Sequence, residues 1–277
     1  MKRADVLRIL AGAGAALFSV VVFLGPFAFI FVTAAKTAPE ASYLAFSWPQ
    51  EWALWDNLTQ VLQHRNGVVV RAFINSTILT VTAVSTMVVV SAMIGYVWQR
   101  RPSRATGLVN LMVLAKLIVP PAVVPTIWVL QSLHLFKTLP GLILVMTTFG
   151  MGFSVLLFRA FIANIPRELD EAATIDGAGP LRLFFYVILP LLRPVVLTII
   201  VVQAVAVFND FATPLYFLPG DANATVQLTL YNYMGEEANQ WNLLMTNVLL
   251  ITIPPLVLYL FFNRQIVAGM TSGAIKG

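Results

Sequence analysis

The chain has 277 residues, of which 59% are hydrophobic and only 10% charged, and its mean hydropathy is +0.85. A soluble domain carries roughly 25% charged residues, so these charges cannot cover a water-exposed globule of this size and the bilayer is the expected solvent. Cysteine is absent, which excludes disulfides, thiolate nucleophiles and Cys-ligated zinc. His64 and His134 have no metal-binding spacing, and a net charge of +5 scattered along the chain gives no nucleic-acid footprint.

A membrane span needs about 20 mostly apolar residues to cross about 30 Å of hydrocarbon. Six segments meet that length, at about 9–33, 73–98, 107–131, 139–160, 194–217 and 241–263, and predict an all-α membrane protein. The N-terminal MKRADVLR followed by a long apolar run resembles a signal peptide, but the run exceeds the usual h-region of about 7–15 residues. It is expected to be the first span rather than a cleaved leader. Counting Lys and Arg in alternate loops puts twelve on the side of the N-terminus, the second and fourth loops and the tail, against four on the other side. Both termini are therefore expected in the cytoplasm. The 218–240 loop, with Asp221, Glu236 and Glu237, is expected outside.

In the external loop 34–72, Trp48, Trp52 and Trp55 share one face if Pro49 opens a helix there. Such a face serves either as an interfacial anchor or as a docking surface for an external partner. Lys116 falls well inside a span. A pair with Asp210 is not expected, because the two differ in depth by about 10 Å at 1.5 Å per residue. Lys116 either reaches the cytoplasmic interface or faces a water-filled pathway. Pro120, Pro121 and Pro125 interrupt the same span and expose carbonyls that protein or water must satisfy.

Residues 164–194, NIPRELDEAATIDGAGPLRLFFYVILPLLRP, have the densest helix punctuation in the chain. Pro166 suits a first turn, and Glu168, Asp170 and Glu171 favour the positive end of a helix dipole. Leu169, Ala172, Ala173 and Ile175 supply an apolar side, and Gly177 can take the left-handed conformation that stops a helix. Pro180 restarts one, with Leu181, Phe184, Phe185 and Ile188 at i, i+3, i+4 and i+7. The pattern is a short helix, a glycine turn and an amphipathic second helix. It either closes the bundle or docks another protein, since Ala172 and Ala173 beside Glu171 allow a close backbone approach and a polar contact.

The fifth span carries Gln203, Asn209, Asp210 and Thr213 among apolar neighbours. Polar groups in spans are costly. Gln203 and Asp210, seven apart, share a face on a regular helix, with Thr213 one turn further. They either line a pathway for a hydroxyl-rich solute, with Phe208 or Phe211 packing on it, or make interhelical hydrogen bonds.

Glu171 to Ala178, E-A-A-x-x-D-G-A, followed by Leu-Pro-Leu at 189–191 and Pro194, resembles the EAA loop of binding-protein-dependent ABC transporter permeases. Asn75-Ser76 matches that family's usual opening. Phe208-Asn209-Asp210 resembles its Trp-Asn-Asp/Glu signature, with Phe replacing Trp. The ending 264–277 is similar to the sugar-importing branch, specifically the G-type subunit of maltose-like permeases. The resemblance runs from about Phe73 to Gly277. Residue 179, often Ser or Thr in that branch, is Gly here, so the second helix is expected to lack its usual side-chain cap.

The resemblance implies a type I ABC importer permease fold with a cytoplasmic coupling helix. Its implied organisation is an N-terminal span and external loop (1–72), a transmembrane type-1 domain (73–263) and an extended cytoplasmic tail (264–277) reaching the ATPases. Glu171, Ala172, Ala173, Asp176, Gly177 and Ala178 are the implied ATPase-coupling residues. The implied partners are two ATP-binding-cassette subunits, a second permease that is homologous but different, and an external solute-binding protein delivering a sugar. No cofactor, metal or catalytic residue is expected, and the chain lacks the G-x-x-x-x-G-K-[ST], H-E-x-x-H and G-x-S-x-G patterns. The rivals are a permease of the same superfamily for a phosphodiester, polyol or peptide, and a self-sufficient channel or carrier. The latter leaves the 171–178 motif without a reason.

Overall fold

The computed structural model describes residues 3–101, 103–220, 223–236 and 240–272, with the backbone alone at 3–11, 105, 232–236 and 263–272. Every regular element among these is helical. In chain order they are α1 (Arg3–Ala34), α2 (Ala38–Ala41), α3 (Leu54–Arg100), α4 (Arg104–Ile118), α5 (Val123–Ser132), α6 (Leu139–Ile162) and α7 (Glu168–Ile175). Then follow α8 (Pro180–Leu183), a π-helical turn (Phe184–Ile188), α9 (Leu189–Leu191), α10 (Arg193–Asn209), α11 (Ala212–Phe217), α12 (Val226–Glu236) and α13 (Trp241–Ser272). The chain forms two compact units, residues 1–70 with 229–254, and 71–228 with 255–277. Lys2, Asp221, Glu237 and residues 273–277, used above for charge counting and the tail, lie outside the described residues.

Among the described residues, four helical stretches are long and apolar enough to cross a bilayer: Gly12–Ala34, Leu54–Arg100, Leu139–Ile162 and Trp241–Phe262. The other two expected spans are broken. Segment 107–131 is α4 and α5, parted at 119–122, where Pro120 and Pro121 withhold their N–H groups. Segment 194–217 is α10 and α11, parted at Asp210. α3 itself is interrupted, because Arg65, Asn66 and Gly67 adopt left-handed φ values of 45°, 57° and 75°.

In the first unit the key node is the end of α1. A helix leaves its last carbonyls unpaired, and here the buried Asn57 Nδ2 donates to the Ala34 and Lys36 carbonyls, both at 2.8 Å. Ala53 N–H takes the Ala35 carbonyl at 2.9 Å, and Asn242 Nδ2 donates to Asn57 Oδ1 at 2.7 Å. Lys36 is only 1% exposed and donates to the Ala45 carbonyl and to Ser47 Oγ.

The expected helix over Trp48, Trp52 and Trp55 does not form, because the Ala53 N–H, which such a helix would give to the Pro49 carbonyl, goes to the Ala35 carbonyl instead. Residues 44–53 carry no helix; Lys36 holds the Ala45 carbonyl, and the Glu40 carboxylate accepts the Gln50 N–H. Trp48 and Trp52 stack with centroids 5.8 Å apart, while Trp55 sits separately on α3. A second correction concerns the tail. α13 stays helical through Ser272, so residues 264–272 are not extended; Arg264-Gln-Ile-Val-Ala are acceptable helix formers, and Gly269 costs only about 1 kcal/mol. The 218–240 segment likewise contains α12.

The second unit packs α6 against α4, α10 and α11. Between helices in lipid there is little hydrophobic drive, so small residues and hydrogen bonds carry the association. Buried Ala83, Ala92, Thr147, Ser154 and Ala204 fit that rule. The Asn75-Ser76 pair ties the start of α12 to α3: Asn75 Nδ2 donates to the Ala224 carbonyl at 3.1 Å, and Ser76 Oγ accepts the Val226 N–H at 3.0 Å.

Asn57→Ala leaves the Lys36 carbonyl and the Asn242 amide without this partner and the Ala34 carbonyl with only the Thr246 hydroxyl at 3.4 Å, at a cost of about 1–3 kcal/mol. The thermal midpoint of the detergent-solubilised protein should fall. Asn57→Asp, which loses both donors but keeps the shape, should fall with it; an unchanged midpoint in either variant contradicts the node.

Candidate functional site

The segment after α6 folds into the expected helix, turn and second helix. α7 carries Glu168, Asp170 and Glu171 in its first turn, where carboxylates favour the positive end of the dipole. It ends in a Schellman arrangement: Gly177 N–H donates to the Thr174 carbonyl at 3.0 Å and Ala178 N–H to the Ala173 carbonyl at 2.9 Å. Gly177 has φ +79°, and a Cβ there would meet nothing within 4 Å. Only the backbone conformation demands glycine. Gly179 precedes α8 in extended conformation with no side-chain cap, and Pro180 opens that helix.

The second helix departs from the expected spacing. Pro190 cannot donate to the carbonyl four residues back, and its ring crowds that carbonyl. The preceding turn widens into a π-helix, in which Leu189 N–H donates to the Phe184 carbonyl. The face is thereby re-phased: Leu183, Phe184 and Ile188 are buried, whereas Leu181 and Phe185 are exposed. The chain then bends by 77° between 180–191 and α10.

The apolar side expected on α7 is mostly open. Ala173 alone is buried in the core, beside Leu183, Phe184 and Ile188. Glu171, Ala172, Asp176 and Gly177 are exposed, Ala178 is half-buried, and Ile175 is 86% exposed. The loop is thus seated on one side and bare on the other. A cleft of about 460 Å³ lies between α7 and the end of α3, with Arg101, Arg167 and Glu171 on its walls. A second cleft of about 290 Å³, lined by Met93, Val97, Leu181 and Phe184, adjoins it.

Sequence reasoning missed what seats α7. Arg100 Nη2 lies 3.0 Å from Asp170 Oδ2, with the two side chains 9% and 16% exposed. The approach is a charge contact whose angle falls outside hydrogen-bond geometry. The same Nη2 donates to the Ile165 carbonyl at 2.8 Å, and Tyr96 Oη donates to Asp170 Oδ1 at 2.6 Å. Tyr96 also packs on Phe184, with ring centroids 5.7 Å apart. The pair is partly buried at the edge of the cleft, so removing one partner costs more than the ~1 kcal/mol of an exposed pair and less than the ~3–5 kcal/mol of a fully buried one. The spacing of Tyr96 and Arg100, one helical turn apart at a span end, was the available signal; Arg100 counted only as a positive loop charge.

The intramembrane polar residues separate into distinct settings. Gln203, 7% exposed, donates to the Gly150 carbonyl at 3.2 Å and to Ser154 Oγ at 3.3 Å, so it bonds α10 to α6. It does not share a helical face with Asp210, because α10 ends at Asn209 and Asp210 is extended. Asp210 instead caps the first turn of α11, accepting the Thr213 N–H at 3.0 Å and the Thr213 hydroxyl at 2.5 Å. Asn209 is exposed and accepts from Gln227 Nε2 at 3.3 Å. Lys116 donates from Nζ to the Phe149 carbonyl on α6 and lies 5.2 Å from the Phe149 ring. Gly152 permits that approach, since a Cβ there would stand 3.4 Å from Lys116 Cδ and 3.2 Å from Leu117 Cδ2. Among the described residues no cluster of His, Asp and Glu suits a metal ion.

The site is therefore a one-sided helix–turn–helix seated by a partly buried ion pair on a chain of apolar and broken helices. The chain belongs to the family of binding-protein-dependent transport system inner membrane components, which it matches over residues 64–272. It is 32% identical over 209 residues to the melibiose/raffinose/stachyose import permease protein MelC of Bacillus subtilis, covering 74% of this chain and 76% of that protein. It is 28% identical over 257 residues to the probable starch degradation products transport system permease protein AmyC of Thermoanaerobacterium thermosulfurigenes, covering 92% of each. The osmoprotective compounds uptake permease protein GgtD of Synechocystis is 31% identical over 210 residues, covering 74% of this chain and 70% of that protein. In fold, the chain is similar to a crystal structure of a bacterial ABC transporter involved in the import of the acidic polysaccharide alginate. That match has a TM-score of 0.82 at 18% identity and covers 95% of this chain and 98% of that one.

Gly177→Val should destabilise the turn by about 1–2 kcal/mol, because only the left-handed backbone is at stake. Gly177→Asn, which tolerates that conformation, should retain near-parental transport while Val loses it. Equal transport in the two variants contradicts the assignment.

Proposed function

We propose that the chain is the permease subunit of an ATP-driven sugar importer, with six crossings, two of them broken, and both termini in the cytoplasm. Residues 171–178 form the cap that enters a groove on a separate ATPase. Closure of two ATPases around ATP moves the cap and, through it, the membrane helices. A second, homologous permease completes the pathway, and an external solute-binding protein delivers the sugar. The observation that carries this reading is the one-sided seat of α7: Ala173 faces the core while Glu171, Ala172 and Ile175 stand open. So short a helix is not stable alone in water, and its bare side suits a protein partner.

The sugar assignment is supported by the melibiose, raffinose and stachyose in the name of MelC and the starch degradation products in that of AmyC. A compatible-solute reading is supported by the GgtD relationship. The α10–α11 break is the candidate pathway element, because unwound backbone at membrane depth is tolerated only against protein or a water-filled cavity. Asn209, Asp210 and Thr213 lie there, with Lys116 as a further candidate on α4. Gln203 is the weakest of the set, since its amide is engaged by α6.

Cross-linking tests the coupling reading directly. The chain has no cysteine, so Ala172→Cys introduces a single reporter; Ala173 is buried and unsuited. Ala172→Cys should cross-link to the ATPase, and Glu171→Lys should weaken ATPase retention. No cross-link in any nucleotide state refutes the docking. In the same reconstituted complex, sugar-loaded binding protein should stimulate ATP hydrolysis more than osmolyte-loaded protein, and the reverse order selects the compatible-solute reading.

Asp210 distinguishes lining from capping. Asp210→Asn keeps an acceptor for the Thr213 N–H and removes the charge, whereas Asp210→Ala removes both. Impaired uptake in both variants supports a pathway charge; normal uptake in Asn with loss in Ala leaves Asp210 as a helix cap only.

A further inference from the structure

We infer that Arg100 and Tyr96 are positioning residues for coupling: they clamp the 171–178 cap to the end of α3, so that displacement of the cap is delivered to α3 as well as to α10. The inference rests on the docking reading of residues 171–178, and its test separates the two.

Two connections leave the cap. The covalent one runs through the glycine turn, α8, the widened π-turn and a 77° bend into α10. It has no continuous i→i−4 ladder, so it is a compliant route. The second runs through side chains. Asp170 adjoins Glu171, and its two carboxylate oxygens are divided between Tyr96 and Arg100. Arg100 also holds the Ile165 carbonyl at the entry to α7, and Tyr96 packs on Phe184 beyond the turn. One face of α3, residues i and i+4, therefore grips the cap before, within and after α7. The pair is largely shielded from water, so salt screens it little. Three points around a short helix fix its orientation, whereas a single point would leave it free to swivel.

The test uses the full complex in proteoliposomes with Ala172→Cys as the docking reporter. The readout is sugar transported per ATP hydrolysed, a ratio that a merely structural seat would not move at equal assembly. With the cross-link retained, Asp170→Ala and Arg100→Glu should lower the ratio about five-fold or more, the lower end of site-to-site coupling energies. Tyr96→Phe, which removes one hydroxyl, should give a smaller fall of the same sign. The double variant Arg100→Glu/Asp170→Lys should recover most of the loss. A parental ratio in Asp170→Ala with the cross-link intact overturns the inference and leaves the docking standing. Absence of the cross-link in the parent overturns the docking and the inference with it. If Asp170→Ala does not assemble, Tyr96→Phe decides: a lowered ratio supports the clamp and a parental ratio overturns it.

Discussion

In hydrocarbon there is no water to satisfy an open backbone group, so every interruption of a helix must be closed by the protein itself. Three interruptions in this chain show such closures, each of a different kind. At the end of α1, Asn57 supplies two donors for the orphaned carbonyls. Between α10 and α11, Asp210 accepts the first free amide of the next helix. Ahead of Pro190 the helix widens to a π-turn, which keeps a hydrogen bond across the region where the proline cannot donate. At Phe149 and Gly150 on α6, carbonyls receive additional donors from Lys116 and Gln203. Asn57 and Asp210 are thus placed where open backbone groups need them, while Lys116 and Gln203 tie neighbouring helices to α6.

This has a consequence for movement. A break closed by a side chain holds while that side chain stays and becomes a joint when it leaves. The 77° bend at Leu192 and the Asp210 cap lie at the two ends of α10, so that helix is bounded by joints on both sides. α6, continuous from Leu139 to Ile162, is the body against which α4, α10 and α11 rest. The clamp by Arg100 and Tyr96 gives the loop below a second attachment that bypasses the Leu192 joint.

Much of this was legible in the sequence. Helix-breaking residues are local, so Gly177, Pro180, Pro190 and the paired Pro120 and Pro121 marked their boundaries correctly. Gly177 takes the left-handed conformation because glycine reaches it without strain at the position just after a helix. What was misread depended on regular helix continuing: Gln203 and Asp210 share a face only if α10 does not end between them, and Leu181 and Phe185 are buried only if no π-turn re-phases the helix. The Trp48, Trp52 and Trp55 helix failed for a related reason. The Ala35 carbonyl takes the Ala53 N–H that such a helix would have used, and no periodicity count registers a competing group so far away in the chain.

By itself the sequence determined the solvent, the helical class, the approximate spans and the loop at 164–194, because hydrophobic length and helix punctuation are properties of neighbouring residues. Which of the rare polar groups pair was decided only in the tertiary structure. Arg100 and Asp170 are distant in the chain, and so are Lys116 and the Phe149 carbonyl, or Asn57 and Asn242. Each would be unfavourable in the membrane or the core if left alone. The partner that relieves it is chosen by how the helices pack, which no local pattern specifies.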